Sequence, residues 1–193
     1  MTARKLCIGL TGRMASGKGE VVRILEARGF EFISLSDIVR GEAAKIDPAP
    51  SRGRMQDVGN RLRAEGGAGV LGRLVGERVL ASSVERWVID GIRNPAEVRE
   101  LRKINGFFLV GVESDVPTIL ARMKKRGRAT DTASEEELRA ALEREWGNGE
   151  PEGGQQVGPT LAMADFTIVN DGTLAELRSR LDAILNVIGA KHV

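Results

Sequence analysis

The sequence of 193 residues is poor in the side chains that most often bind metals or act as nucleophiles. It contains one cysteine, Cys7, which excludes an internal disulfide framework and a cysteine-based zinc site. Its one histidine, His192, stands next to the C-terminus, where fraying is expected. Histidine-dependent catalysis and histidine metal sites are therefore poor explanations of what the chain does.

Long apolar runs and a large excess of one charge are also missing. No apolar stretch approaches 18 residues, so the sequence predicts no transmembrane helix. The short run Leu6–Leu10 is typical of a buried strand and not of a signal peptide, and we expect a cytoplasmic protein. Lysine and arginine total 29 against 27 for aspartate and glutamate. That net charge of +2 does not favour nucleic-acid binding through bulk charge.

What the sequence does contain is an alternation of short apolar segments and longer amphipathic ones. Its length predicts one domain, and apolar strands separated by helices indicate an α/β fold with a parallel sheet covered on both faces. The predicted strands are Leu6–Leu10, Phe30–Ser34, Trp87–Ile89, Phe107–Val112 and Phe166–Val169. The predicted helices are Lys18–Arg28, Asp37–Lys45, Met55–Glu65, Val70–Ser82, Pro95–Lys103, Val116–Lys125, Glu135–Trp146 and Leu174–Ile188. Gly29 and Gly189 are expected to end helices.

A glycine-rich motif of the form G-x-x-x-x-G-K lies at the first strand-to-helix turn. Its glycines allow backbone N–H groups to converge on an anion, and the following helix adds its positive dipole end. Lys18 would bridge the outer phosphates of a nucleotide. The alternative is a glycine-rich turn without a ligand. The predicted nucleotide-binding residues are Gly12, Arg13, Met14, Ala15, Ser16, Gly17, Lys18, Gly19 and Glu20.

The residue after Lys18 departs from the common pattern. Many phosphate loops place a Ser or Thr hydroxyl there as a ligand of Mg²⁺, whereas this chain has Gly19 followed by Glu20. Metal binding would then depend on carboxylates and water, with Glu20 as one candidate, or it would be impaired.

Two further segments resemble nucleoside monophosphate kinases. Ile33-Ser34-Leu35-Ser36-Asp37-Ile38-Val39-Arg40 is similar to the segment of adenylate kinases whose arginine grips the acceptor phosphate, and Val88-Ile89-Asp90-Gly91-Ile92-Arg93 is similar to their D-G-F-P-R segment. The resemblance implies that Arg40 and Arg93 bind the acceptor phosphate and that Asp90 is a catalytic carboxylate on the metal side. Asp37 has two interpretations, as a helix cap or as a residue near the substrate and metal.

Arginines in the second half of the chain resemble the lid arginines of the same kinases. The resemblance implies nucleotide contacts for Arg122 and Arg126 and catalytic contacts for Arg128 and Arg139, on a lid of about residues 122–146. The alternative is a solvated basic patch at a helix end. An acceptor-binding insert is expected at about residues 37–82, where Gln56, Asn60 and Arg63 share one helical face.

The C-terminal segment Ala164–Leu174 is similar to the last strand and turn of dephospho-CoA kinases, which implies that Asn170 and Gly172 lie beside the adenine of ATP. Taken together, the motifs resemble adenylate-kinase-related P-loop nucleotide kinases of unassigned substrate. That resemblance implies a three-layer P-loop NTPase fold with a five-stranded parallel sheet, small lid and acceptor-binding inserts, and ATP and Mg²⁺ as cofactors. A monomer or homodimer is expected.

Three hypotheses about function follow. The first is ATP-dependent phosphoryl transfer to a small phosphorylated acceptor of the nucleoside monophosphate type, with lid closure over the bound nucleotide. The second is transfer to a ribose hydroxyl, as in dephospho-CoA kinases, which the Asn170–Gly172 turn favours. The third is a non-catalytic nucleotide sensor, which the Gly19-Glu20 departure favours. No nucleic-acid or membrane partner is expected.

Overall fold

The computed structural model describes residues 5–49, 52–126 and 134–192. Its sheet has five parallel strands in the order β2-β3-β1-β4-β5, which confirms the predicted α/β fold and the all-parallel sheet. The strands are β1 (Leu6–Thr11), β2 (Glu31–Ser34), β3 (Arg86–Asp90), β4 (Phe107–Glu113) and β5 (Phe166–Val169). Because β1 lies between β3 and β4, the chain reverses its winding direction there, and the crevice at the carboxyl end of β1 is where such sheets bind ligands.

The described helices follow the predicted ones closely, with one addition. They are α1 (Lys18–Glu26), α2 (Leu35–Ala44), α3 (Arg52–Gly66), α4 (Val70–Ala81), α5 (Pro95–Leu101), α6 (Val116–Arg126), α7 (Glu135–Trp146), α8 (Val157–Leu161) and α9 (Leu174–His192). Helix α8 is the addition, in a stretch whose glycines and prolines indicate a loop. No helix in these ranges combines the length and the apolar character needed to cross a bilayer.

The expectation that Gly189 ends the last helix is wrong. Helix α9 continues past it to His192. Leu181 and Ile188 are fully buried on one face of α9. Burial of that face outweighs the roughly 1 kcal/mol that glycine costs inside a helix.

Two hydrophobic layers cover the sheet. On one face, Cys7, Ile89 and Leu109 pack against helices α2, α3, α4 and α5. On the other face, Ile8, Val88 and Val110 pack against α1 and α9, so the fold has three layers. Cys7 is fully buried and its burial raises the pKa of the thiol to about 12, as expected for a small core side chain.

A third, smaller cluster joins α6 to α7 and reaches the glycine-rich turn. Its buried members are Ile119, Leu120, Met123, Leu138 and Leu142. Met14 and Ala15, from the turn after β1, pack against this cluster. Helix α7, which lies within the predicted lid of about residues 122–146, and α6, whose last residues enter it, are therefore anchored on the predicted phosphate loop.

Candidate functional site

The backbone of the glycine-rich loop requires glycine at two positions. Gly12 has a φ of +135° and Gly17 a φ of +109°, in the region that side chains other than glycine rarely adopt. A Cβ atom on Gly12 would lie 2.1 Å from the carbonyl oxygen of Val112, and one on Gly17 would lie 2.0 Å from Nδ2 of Asn170. The loop is therefore held tightly between β4 and the turn after β5.

Lys18 begins helix α1, and its side chain folds back over the loop. Its Nζ donates to the carbonyl oxygen of Gly12 at 2.7 Å and to that of Arg13 at 2.8 Å. The ammonium group thus lies at the first turn of α1, where the helix dipole adds positive potential. This arrangement suits an anionic ligand.

The carbonyl of Ser16 is the point at which the loop is tied to the rest of the fold. Nδ2 of buried Asn170 donates to it at 2.8 Å, and a guanidinium N–H of Arg122 donates to it at 3.3 Å. A second N–H of Arg122 donates to the carbonyl of Asn170 at 2.7 Å. The structure therefore places Asn170 and Arg122, both predicted nucleotide contacts, directly against the loop.

Asp90 ends the neighbouring strand β3 and lies on the same sheet face as α1. Val88, two residues earlier, packs in the α1 layer, and the strand period of two places Asp90 on that face. Its Oδ1 atom is buried and makes no hydrogen bond. A carboxylate oxygen in that position is a suitable ligand for a hydrated hard cation such as Mg²⁺.

Other buried polar atoms without a hydrogen-bond partner also gather at this crevice. Thr11 ends β1, and Arg13 and Ser16 belong to the loop. The atoms are Thr11 Oγ1, Arg13 Nε and Ser16 Oγ. Buried polar groups are normally satisfied, so this concentration fits a site that receives a polar ligand with its water.

Helix α7 contributes two contacts to the loop that the sequence motifs do not predict. Glu145, which is 3% exposed, accepts a hydrogen bond from the backbone N–H of Met14 through Oε2 at 2.7 Å. Its Oε1 atom lies 3.7 Å from NH1 of Arg93. The next residue, Trp146, packs under the guanidinium of Arg13, with Cζ 4.2 Å from the ring centroid.

A cavity of about 110 Å³ lies beside these contacts, above the end of β4. It is lined by Arg13, Val112, Glu113, Ser114, Trp146 and Leu161. The loop is thus bordered by an amphipathic recess as well as by the crevice in front of Asp90.

Three arginines predicted on the acceptor side, Arg40 and Arg93 as phosphate ligands and Arg63 on the helical face of the insert, each face a carboxylate. NH1 of Arg40 lies 2.6 Å from Oδ1 of Asp37, and NH2 of Arg63 lies 3.7 Å from Oε1 of Glu97. Arg93 faces Glu145 as described and also donates to Oε1 of Gln155 at 3.1 Å. This side of the crevice therefore carries matched charges.

Asp37 caps helix α2, in agreement with one of its two predicted interpretations. Its Oδ2 accepts from the N–H of Ser34 at 3.1 Å, and the hydroxyl of Ser34 accepts from the N–H of Asp37 at 3.2 Å. With Oδ1 bonded to Arg40, both carboxylate oxygens of Asp37 are bonded within the start of α2.

Glu97 supports the turn that carries Arg93. It is 1% exposed, and its Oε2 accepts from the backbone N–H groups of Arg93 at 2.9 Å and Asn94 at 3.1 Å. Desolvation raises the pKa of its carboxyl above the ordinary value, against the opposing effect of these bonds and of Arg63. Glu97 and Asn94 also form the capping box of α5.

Two further predicted residues, Arg139 and Glu20, form ion pairs within their own helices. Arg139 is exposed and pairs with Glu135 on its own helix at 3.0 Å, and Lys124 binds the same carboxylate at 3.0 Å. The hydrogen bonds of Lys124 and Arg139 hold the pKa of Glu135 below its ordinary value. Glu20 pairs with Arg23 on α1, and Gly172 is exposed in the turn after β5. Arg128 and the side chains of Gln56, Asn60 and Arg126 lie outside the described residues.

Within the described ranges, no group of three or more Asp, Glu, His or Cys side chains could hold a metal ion. Asp90 with its free oxygen fits a cation whose other ligands are phosphate oxygens and water. The residues present therefore fit a magnesium-bound nucleotide better than a metal held by the protein alone.

Sequence reasoning missed Glu145, although a signal for it exists. Leu138 and Leu142 are fully buried members of the α6–α7 cluster, and Glu145 follows them at helical spacing. A charged residue on the apolar face of an amphipathic helix indicates a buried carboxylate with a specific partner.

Comparison with known proteins places these features in a family. Residues 11–139 match the family model described as the AAA domain. The chain is 32% identical over 186 residues to a UPF0200 protein from Methanoculleus marisnigri, covering 96% of this chain and 98% of the relative. It is 35% identical over 185 residues to a UPF0200 protein from Methanothermobacter thermautotrophicus, covering 95% and 91%.

Solved structures share the fold at low sequence identity. TT1252 from Thermus thermophilus superposes with a TM-score of 0.60 at 20% identity, covering 95% of this chain and 97% of that one. A gluconokinase from Sinorhizobium meliloti gives 0.59 at 18%, covering 98% and 97%. A shikimate kinase from Bacteroides thetaiotaomicron gives 0.58 at 13%, covering 94% and 98%. The fold is that of the P-loop kinases, which confirms the resemblance that the motifs predicted.

Proposed function

The chain belongs to the UPF0200 family and has a P-loop kinase fold, and on this basis we propose that it transfers the terminal phosphoryl group of magnesium-bound ATP to a small acceptor. One observation carries the proposal. A loop that requires glycine at Gly12 and Gly17 holds the Lys18 ammonium group at the start of α1, and the neighbouring strand β3 ends at Asp90, whose buried Oδ1 makes no hydrogen bond.

The donor side of the reaction would use the loop and α1. Backbone N–H groups of the loop and the Lys18 Nζ bind the phosphate chain, and Lys18 exchanges its bonds to the loop carbonyls for phosphate oxygens. The Oδ1 atom of Asp90, which makes no hydrogen bond, would be available to a hydrated cation. Magnesium, when bound, neutralises charge on the phosphate oxygens. Phosphoryl transfer requires positioning and electrostatics and needs no covalent nucleophile. This suits a chain with one cysteine and one histidine.

The acceptor in this proposal is a phosphorylated small molecule of the nucleoside monophosphate type. Arg40 on α2, Arg63 on α3 and Arg93 in the turn after β3 come from three separate segments of the chain, as a phosphate-binding set would. Gln56 and Asn60 share the predicted helical face with Arg63. The helices α2, α3 and α4 would form the acceptor-binding insert, and the end of α6 and the whole of α7 would belong to the lid.

A second candidate is transfer to a hydroxyl group, as in dephospho-CoA kinases. The pairing of Arg40, Arg63 and Arg93 with carboxylates favours it. A neutral hydroxyl does not require unpaired positive charge, whereas a phosphate acceptor would have to displace those carboxylates.

Calorimetry followed by an acceptor panel tests the proposal. We expect wild-type protein to bind ATP with Mg²⁺, Lys18→Ala to lose detectable binding, and Lys45→Ala to retain it. Lys45 is an exposed lysine paired with Glu42 on α2, so its loss controls for the change in net charge. Absence of ATP binding by folded wild-type protein would refute the proposal.

The panel contains nucleoside monophosphates and dephospho-CoA with ATP and Mg²⁺, and phosphorus NMR follows the products. Turnover with a monophosphate supports the first acceptor class, and turnover with dephospho-CoA alone supports the second. ATP binding without transfer to any member would replace both with the nucleotide-sensor hypothesis, which the Gly19-Glu20 pair favours.

A further inference from the structure

Glu145 is a buried charged residue to which the motifs assign no role. Its Oε2 accepts a hydrogen bond from the Met14 N–H of the loop, and its buried Oε1 makes no hydrogen bond but lies 3.7 Å from NH1 of Arg93 as an ion pair. The two contacts lie on different oxygens of one carboxyl group. A single side chain therefore spans from the backbone that would bind the donor phosphates to an arginine on the opposite side of the crevice.

The backbone at Arg93 is fixed without Glu145. Its N–H donates to Glu97, and its carbonyl accepts from the N–H of Gln156 at 2.7 Å. Asn94, the next residue, donates through Nδ2 to the carbonyls of Glu152 and Gly154. Only the guanidinium of Arg93 depends on Glu145, together with Gln155.

Glu145 is itself held in place. Leu142, one turn earlier on α7, is buried in the α6–α7 cluster. Trp146, the next residue, stacks under Arg13 and packs so closely on Gly158 that a Cβ there would lie 2.6 Å from its ring. The packing of these two neighbours thus fixes the backbone from which the Glu145 side chain extends, at the C-terminal end of α7.

We propose that Glu145 is a positioning residue for phosphoryl transfer: it fixes the guanidinium of Arg93 relative to the phosphate loop. This inference rests on the proposed function. A half-buried arginine has many rotamers, and the carboxylate selects one in which the guanidinium stays within reach of the crevice. Glu145 would act on the rate of transfer through Arg93 and contribute little to the binding of ATP.

The test uses ATP with Mg²⁺ and with water as the phosphoryl acceptor, so it does not depend on the acceptor's identity and measures what the positioned Arg93 guanidinium contributes to the transferred phosphoryl group, beside which an acceptor phosphate would lie. A water oxygen bonds to the terminal phosphorus as the bond to the bridging oxygen breaks, which yields ADP, inorganic phosphate and one proton released to solvent. Phosphate release gives the rate, and calorimetry gives the ATP dissociation constant.

Glu145→Gln preserves the shape of the side chain and an oxygen for the Met14 N–H but removes the charge that faces Arg93. We expect it to bind ATP with Mg²⁺ within about 3-fold of wild type and to slow phosphate release at least about 10-fold, a loss in kcat with KM unchanged. Glu143→Gln, the same change at an exposed position of α7, is the matched control and should alter neither quantity.

Double substitution separates positioning from simple support of the fold. If Glu145 acts through Arg93, the Glu145→Gln, Arg93→Gln double variant should be no slower than Arg93→Gln alone. The proposal would be overturned if the two substitutions slowed phosphate release multiplicatively in the double variant. It would also be overturned if Glu145→Gln weakened ATP binding while the rate of phosphate release stayed unchanged. Should Glu145→Gln fail to fold, Glu145→Asp carries the test, because its shorter chain cannot make both contacts. A wild-type rate for Glu145→Asp would overturn the proposal.

Failure of this inference and failure of the proposed function are distinguishable. Wild-type protein that binds no ATP refutes the function. Wild-type protein that binds and hydrolyses ATP, with a Glu145→Gln variant that does both equally well, refutes only the role of Glu145.

Discussion

Asn170 and Ser16, 154 positions apart in the chain, are joined by a hydrogen bond of 2.8 Å from the side-chain amide of the first to the carbonyl of the second. This bond ties the turn after the edge strand β5 to the phosphate loop after the central strand β1. Gly17 leaves the space in which the Asn170 amide lies. The shape of the loop therefore depends on residues from both the N-terminal and the C-terminal parts of the sequence.

Gly17→Ala should damage the loop in two ways, through its positive φ and through contact with Asn170. We expect the free energy of unfolding to fall by roughly 1–3 kcal/mol, which corresponds to a decrease in Tm of about 2–4 °C per kcal/mol. ATP affinity should fall at least about 10-fold. Gly29→Ala is the control, because Gly29 also has a positive φ but has open space around its Cβ position. Gly29→Ala should lower the free energy of unfolding and leave ATP affinity unchanged. An equal loss of ATP affinity in both variants would contradict this account.

Asp90→Asn should alter the dependence of turnover on magnesium. The amide keeps the size of the side chain but removes the charge of the unbonded oxygen at the crevice. We expect the half-saturating Mg²⁺ concentration to rise at least about 5-fold, while ATP binding measured without Mg²⁺ is not weakened. Asp57→Asn, an exposed position on α3, is the control. An unchanged magnesium titration would show that Asp90 has no part in holding the cation.

Arg128→Ala should spare ATP binding and slow transfer at least about 10-fold, since a lid arginine stabilises charge in the transition state. Arg139→Ala should behave likewise only if its ion pair with Glu135 opens when the nucleotide binds. Arg144, exposed on the same helix and paired with Glu150, provides the control Arg144→Ala. Full activity in the Arg128 variant would remove that residue from the proposed lid.

Glu97 should make stability depend on pH. Burial raises the pKa of its carboxyl in the folded protein above the value of about 4.3 expected for an unfolded chain, so the folded state keeps its proton to higher pH. The free energy of unfolding of wild type, relative to that of Glu97→Gln, should therefore decrease as pH rises above about 4.3. Urea unfolding at a series of pH values measures the difference, with Glu65→Gln as the control for net charge. A difference that grows with pH would contradict the expected direction.

Local patterns in the sequence were sufficient to predict the sheet, most helices and the loop. Apolar runs and helical periodicity depend on neighbouring residues, and a glycine-rich turn between a strand and a helix is itself a local signal. The pairs Asp37–Arg40 and Glu135–Arg139 are local too, at i, i+3 and i, i+4 spacing. That spacing favours ion pairs within a helix, and it could have shown that both arginines already have partners.

Contacts between distant segments could not be predicted in this way. Glu145 and Met14 are 131 positions apart, and no spacing rule connects them. At Gly189 a local signal existed but gave the wrong prediction. Glycine favours the end of a helix, and the tertiary packing of α9 overrides that preference. The parts of the candidate site that depend on tertiary packing are therefore those that the motifs miss.

The two tryptophans lie in different parts of the fold, Trp87 in β3 and Trp146 at the end of α7. Trp87, at the start of β3, donates its indole N–H to the carbonyl of Val84, far from the crevice. Trp146 contacts Arg13 of the loop. A chain in which Trp87 is replaced by phenylalanine would thus carry one intrinsic fluorophore beside the glycine-rich turn, and its emission would report occupancy of that turn without any added label.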